Sequence, residues 1–281
     1  MARWTIDTPT SLTFDGVVAL RIRLISGSVA VLAAEDTPRL DVESVSGQPL
    51  LVTHDAGILT ITYEDMTWEG LLGWLRPQRH SADVTVTAPK DCPVQLGVVN
   101  ASAVISGMSA RTSIKSVSGG ITMDGVTGSV DANTMSGDLE AQDVDGEVAF
   151  KTVSGELTIA GGSLARLDAK TVNGRITADV DLAPAASVQT ATVSGDVAVR
   201  LPATTSARVD LRSASGRVET AFDGLECSSK PGTTSVSGTL GTGDARLSAS
   251  TVSGTVTLLR RSPPAGKEPS RVGTQKEGNP E

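Results

Sequence analysis

The sequence predicts an all-β protein: a β-solenoid, a single-stranded β-helix-like stack of coils about 18–22 residues long, with an N-terminal β region that continues or caps it. Three observations carry this prediction. Glycines recur in register, apolar and polar residues alternate around them, and aromatic side chains are scarce. Of 281 residues, 39% are hydrophobic but only 2% aromatic, namely three Trp, one Tyr and three Phe. A core usually leans on rings that bury about 150–250 Å² each. Here Val, Leu, Ile and Ala must fill it, which suits a narrow and regular interior.

Residues 1–100 show strand signals without a clear repeat. The stretches 17–25, 28–32, 40–45, 58–63 and 83–88 qualify, with Val29, Val31, Leu59, Ile61, Val84 and Val86 alternating cleanly. Ser26-Gly27 and Ser46-Gly47 echo the later repeats, as expected of the atypical end that a solenoid requires. One stretch, 66–80, breaks the β pattern. Trp68, Leu71, Leu72 and Leu75 follow helical spacing, with Trp74 beside them and Arg76 and Arg79 following. Trp and Arg together favour interfaces, so Trp68, Leu71, Leu72 and Trp74 are the candidate binding residues. Internal cover by the sheet is the competing expectation for them.

Residues 101–260 carry the repeats. Gly128, Gly137, Gly146 and Gly155 are nine residues apart, each two residues after an apolar position and two before another. A longer register runs through Gly119, Gly137, Gly155, Gly174, Gly195, Gly216, Gly238 and Gly254. Each follows a small polar residue, an apolar or small residue and a hydroxyl, as in Thr152-Val153-Ser154-Gly155. Two residues after each comes an aliphatic such as Leu139, Leu157 or Ile176. Stacked coils pair through the backbone at about 4.8 Å and align such positions into ladders. Both the Val and Leu columns are expected to line the interior, Val153 and Leu157 included, with Glu156 in water. The hydroxyl columns are expected to bond to one another. Residues 261–281, rich in Pro, Gly and charge, are expected to be a disordered tail.

The net charge of -8 and pI near 4.9 speak against nucleic-acid binding, which normally shows a basic stripe. Two Cys, Cys92 and Cys227, make neither a disulfide framework nor a four-Cys zinc site, and both are expected to be buried thiols. With no signal-peptide core and no run of 18 apolar residues, the chain is expected to be soluble and cytoplasmic, with peripheral membrane contact left open. Catalysis finds no foothold in the residues. The two His, His54 and His80, lie outside the repeats, so the ladder serines gain no base from their own coils. Asp138, Glu140, Asp143, Asp145, Glu147 and Glu156 cluster in two coils, and a carboxylate pair there could hydrolyse glycosides. As outward positions of alternating strands they are expected to be solvated. Neither a phosphate-binding Gly-Lys-Ser/Thr loop nor a calcium repeat is present. No cofactor, metal or catalytic residue is therefore expected.

The recurring Thr-Val-Ser-Gly-Asp/Glu-Val/Leu units, the Trp4 segment, the stretch from Ile22 to Val31 and Val42-Glu-Ser-Val-Ser-Gly-Gln-Pro-Leu50 carry a resemblance. They are similar to a bacterial β-strand-repeat family named for putative adhesins, a toastrack-like domain of unknown function. The resemblance covers about residues 1–260. It implies the repeat fold, supplies no catalytic residues, and implies a scaffold or sensor linked to envelope stress or the cell surface. The expected function is a non-enzymatic β-repeat scaffold with a protein partner. The alternatives are a carbohydrate-active β-helix enzyme and a surface adhesin.

Overall fold

The computed structural model describes residues 1–64 and 80–262, and every strand among them belongs to one sheet. No helix occurs among these residues. The centre of the molecule is a parallel stack. Val94–Ser106 is followed by Thr112–Ser118 with Ile121–Asp124, then Thr127–Ser136 with Leu139–Gln142. Asp145–Lys151 and Leu157–Asn173, then Ile176–Ser194 and Val197–Pro202, extend it further. Each turn lies parallel to the one before, and equivalent residues stand in register: Ile121 opposite Leu139, Leu157, Ile176 and Val197 in succession. All five are buried in one core cluster of aliphatic side chains.

Both ends depart from a plain solenoid, so the fold is solenoid-like. At the N-terminal end, Ala19–Ala33 lies parallel between Val94–Ser106 on one side and Ile58–Tyr63 with Ser81–Ala88 on the other. Antiparallel strands follow outward: Arg39–Ser46 on Ser81–Ala88 and Leu50–Asp55 on Ile58–Tyr63. Thr10–Thr13 and Ala2–Ile6 lie outermost. The C-terminal end repeats the manoeuvre. Ala245–Ser253 and Val256–Arg261 insert between the coil of Ile176–Pro202 and the strands Ala207–Ser213 and Val218–Thr220. Thr233–Leu240 and Glu226–Lys230 close this end in antiparallel pairing.

Two expectations from the repeat need correction. Stacking does not follow chain order at the end: a Cβ on Gly254 would meet Gly195, and one on Gly216 would meet Gly254. Gly238 lies in the antiparallel strand Thr233–Leu240 and is no corner of the stack. The second correction concerns the Val column. Met135, Val153, Val172, Val193 and Val252 are exposed, whereas Thr134, Thr152, Thr171, Thr192 and Thr251 are buried. The chain turns a corner at Ser-Gly, so alternation does not run through it. Inward positions are Val148, Phe150 and Thr152, then Leu157 and Ile159 across the corner. The nine-residue pattern thus joins two unlike bends. Val126 and Val144 are buried before theirs, while Met135 and Val153 point out before the Ser-Gly corner. Leu157 is buried and Glu156 exposed, as the repeat led one to expect. Arg261, first residue of the expected tail, ends the last strand; residues 263–281 lie outside the described residues.

Corner glycines permit the close stacking. A Cβ on Gly155 would stand 2.3 Å from the Gly137 carbonyl oxygen, closer than atoms tolerate. Gly155→Ala should therefore destabilise the fold by about 1–3 kcal/mol or more in chemical denaturation. Gly120→Ala, where a Cβ meets nothing within 4 Å, should stay within about 0.5 kcal/mol. Leu157→Ala should cost about 2–5 kcal/mol, whereas Val153→Thr, on the outer face, should be near neutral.

Candidate interaction surface

The Ser-Gly corners set two kinds of side chain back to back. Inside, the hydroxyls cap backbone carbonyls: Thr134 Oγ1 donates to Gly137 O at 3.1 Å and lies 2.8 Å from Thr152 Oγ1. Ser213 Oγ and Thr251 Oγ1 donate to the carbonyls of Gly254 and Gly195 at 3.0 and 3.1 Å. The hydroxyl ladder is partial. Thr171 Oγ1 and Thr192 Oγ1 are buried with no hydrogen-bond partner among the described residues, a cost that hydrophobic packing of their methyl groups must offset.

Outside runs an aliphatic ridge. Ser116 and Ser118 pair with Thr134 and Ser136, which sets Val117 beside Met135. Ser154 N donates to Met135 O at 2.9 Å and Asn173 N to Val153 O at 2.8 Å, carrying the row onward. The pairs Thr171–Thr192, Asn173–Ser194, Thr192–Thr251 and Ser194–Ser253 extend it through Val172, Val193 and Val252. Val117 is half-buried, and the exposure of the other five runs from 42% at Val172 to 58% at Met135. Six rungs at about 4.8 Å make a stripe roughly 24 Å long. A row of Ser and Asn borders it, with Ser118 and Ser215 hydroxyls donating to Val99 O and Val252 O.

Two of the acidic residues of the same coils, Asp138 and Asp145, have structural partners. Asp138 Oδ1 accepts from Glu156 N at 2.8 Å, and Asp145 Oδ1 from Ser163 N at 2.6 Å. These carboxylates bridge successive rungs at the bends. The histidines are remote from the ladder serines. His80 Nδ1 accepts from Gln48 N at 2.8 Å, and His54 lies against the Phe14 ring. Burial pushes the Cys92 thiol up to about 11, which leaves it protonated at neutral pH. Cys227 is exposed rather than buried, because Glu226–Lys230 is an outermost strand with every residue in solvent. Trp68, Leu71, Leu72 and Trp74 lie outside the described residues.

A charged cluster sits near the C-terminal end, beside a cleft of about 730 Å³ lined by Asp181, Leu182, Ser206 and Asp244. Arg261 bonds Asp179 at 2.5 Å and Asp181 at 2.9 Å, and Arg200 also bonds Asp179. The Arg200 hydrogen bond holds the Asp179 carboxyl below its usual value of 3.8, against an opposing push from burial and with further help from Arg261. Across the cleft, Ser206 Oγ accepts from the backbone N–H groups of Thr242 and Gly243 at 3.0 and 2.9 Å. These contacts tie the last strand and its neighbouring turn onto the stack.

The Toastrack DUF4097 family model matches residues 21–259, and the chain belongs to that family. No curated protein matches the sequence. Among solved structures, a "putative cell adhesion protein" from Clostridium sporogenes is 9% identical, with 90% of this chain and all of that one covered at TM-score 0.26. A "putative adhesin" from Parabacteroides merdae is 11% identical, covering 91% and 96% at TM-score 0.27. A "putative lipid binding protein" from Parabacteroides distasonis is 11% identical, covering 90% and 97% at TM-score 0.25. Likeness this slight carries no functional argument. No helix among the described residues is long and apolar enough to cross a membrane.

Asp179 makes a pH prediction. Its folded pKa is depressed, so its stabilisation is present above the unfolded pKa and is lost as pH falls through the folded value. Asp179→Asn should lower Tm at pH 7, and the gap from wild type should close below about pH 4.

Proposed function

We propose that the chain is a non-catalytic scaffold that binds another protein along the aliphatic ridge. The exposed row from Met135 to Val252 is the single observation that carries this reading. Isolated exposed aliphatics are ordinary, but a continuous apolar stripe is characteristic of interaction surfaces. The stripe is rigid because each of its residues is held by the backbone pairing of a rung. A partner therefore meets a preformed surface and orders few side chains on binding. Support for a non-catalytic role comes from where reactive groups are engaged: corner hydroxyls on carbonyls and corner carboxylates on amides.

The test is a variant with Met135, Val153, Val172 and Val193 all changed to Thr, set beside Glu156→Lys on the same coils. Both proteins should fold with Tm close to wild type, since surface changes usually stay within about 0.5 kcal/mol each. Quantitative mass spectrometry of material co-purified from the native cell should show at least one protein at near-stoichiometric level with wild type and Glu156→Lys. The ridge variant should lose it by tenfold or more. Sedimentation of the purified proteins identifies the case in which that partner is a second copy. Identical co-purified sets and identical sedimentation for all three proteins would refute the proposal.

A further inference from the structure

One rung of the ridge differs in kind from the rest. Val117, Val153, Val172, Val193 and Val252 are aliphatic, and peroxide leaves such side chains untouched. Met135 stands in the same column with a thioether, and it is the most exposed side chain of the row. The stack itself does not call for the exchange. Met135 faces outward between Val117 and Val153, and its carbonyl accepts from Ser154 N as that of any residue would. A β-branched Val suits the extended backbone there better than an unbranched side chain does.

Sulfur elsewhere in the fold is placed differently. Met108 and Met123 are buried in the aliphatic core, where peroxide reaches them only if the stack opens. Met1 is exposed, but it lies at the N-terminal end beside Asp55. Cys92 is buried, and Cys227 lies on the outermost strand Glu226–Lys230. Met66 lies outside the described residues. Among the described residues, Met135 is therefore the one oxidisable sulfur on the ridge.

We propose that Met135 is a peroxide-modification site through which oxidation releases the protein held by the ridge. The inference rests on the ridge as a binding surface and adds its regulation. The thioether sulfur attacks one oxygen of hydrogen peroxide; the O–O bond breaks and an S–O bond forms. Sulfur gives up two electrons, and the departing hydroxide takes the proton from the transferred oxygen and leaves as water. The product is a sulfoxide, polar where the thioether was apolar. Its oxygen is a hydrogen-bond acceptor set among valines, and covering it without a donor weakens association roughly 5- to 150-fold. Because Met135 points outward, the added oxygen displaces nothing in the core, so the surface changes character while the stack keeps its stability. Coupling is reciprocal: a partner seated on the ridge covers the sulfur and slows its oxidation.

The purified full chain would be treated with graded hydrogen peroxide, freed of oxidant and digested with trypsin. Fragment sequencing of the peptide Ser116–Lys151 separates Met123 from Met135, and Asp91–Arg111 reports Met108. Met135 should oxidise at least tenfold faster than either, with Tm within about 2 °C of the untreated protein. The treated chain would then serve as bait in native-cell extract. Capture of the protein that accompanies untreated wild type should fall tenfold or more, in proportion to sulfoxide at Met135 and not at Met1. Met135→Leu, which keeps Met1 and Cys227, should capture within twofold the same amount before and after its own peroxide treatment. If that variant captures nothing even untreated, the dose relation in wild type decides: loss tracking Met135 supports the proposal, and loss tracking another sulfur overturns it. Oxidation of Met135 no faster than that of Met123 would overturn it too, as would full sulfoxide with undiminished capture; both leave the ridge reading standing. If the four-residue ridge variant captures as wild type does, the ridge reading fails and this proposal falls with it.

Discussion

Backbone approach at the Ser-Gly corner is the constraint on which the stack depends. A Cβ on Gly174 would lie 2.0 Å from the carbonyl oxygen of Gly155, and one on Gly195 equally near that of Gly174. No other residue allows two chains to pass so closely, whatever its φ. Once each corner sits directly over the previous one, the next inward position must sit over its own counterpart. Ile121, Leu139, Leu157, Ile176 and Val197 then align without any choice left to side-chain packing. The core is narrow because of the corners, and aliphatic because it is narrow.

The corner also explains which residue faces in. At Thr134 and Thr251, the last inward positions of their strands, the hydroxyl donates to a glycine carbonyl of the corner and the methyl packs inward. Valine there would fill similar volume but strand that carbonyl. Placed one residue later, the same valine lies on the outer side of the turn, where a β-branched residue favours the extended backbone. Backbone preference accounts for one exposed valine at a time. The continuous ridge follows because stacking superposes every copy.

The repeat period was legible in the sequence, and with it the rung pairing and the Leu column. The facing of the Val column was misjudged because apolarity was weighed above parity. Carrying Val148 and Phe150 forward by two lands on Thr152, not Val153, so the correct phase was available from the same residues. The shuffled order of the ends was only hinted at by the unequal spacing around Gly238. Insertion of Ala19–Ala33 beside Val94–Ser106 was not legible at all, since the two strands are distant in sequence. The Trp segment was conspicuous in composition, but Trp68 and Trp74 lie outside the described residues, and the surface that emerges is aliphatic instead.

Insertion at both ends has a physical logic that links architecture to sites. A plain parallel stack would finish on a full-length strand whose free N–H and C=O groups invite another chain. Here a strand distant in sequence is placed inside the stack, and the outermost positions pass to shorter strands, antiparallel except for Val218–Thr220. Glu226–Lys230 is polar and wholly exposed, and Ala2–Ile6 carries Arg3 in an ion pair with Glu64. Such edges pair poorly with strangers. The long ridge can therefore stay apolar without the molecule polymerising end to end, since growth along the stack is blocked where it would begin. The row from Met135 to Val252 runs along the side of the stack, away from these edges, and holds five of the molecule's exposed aliphatic side chains.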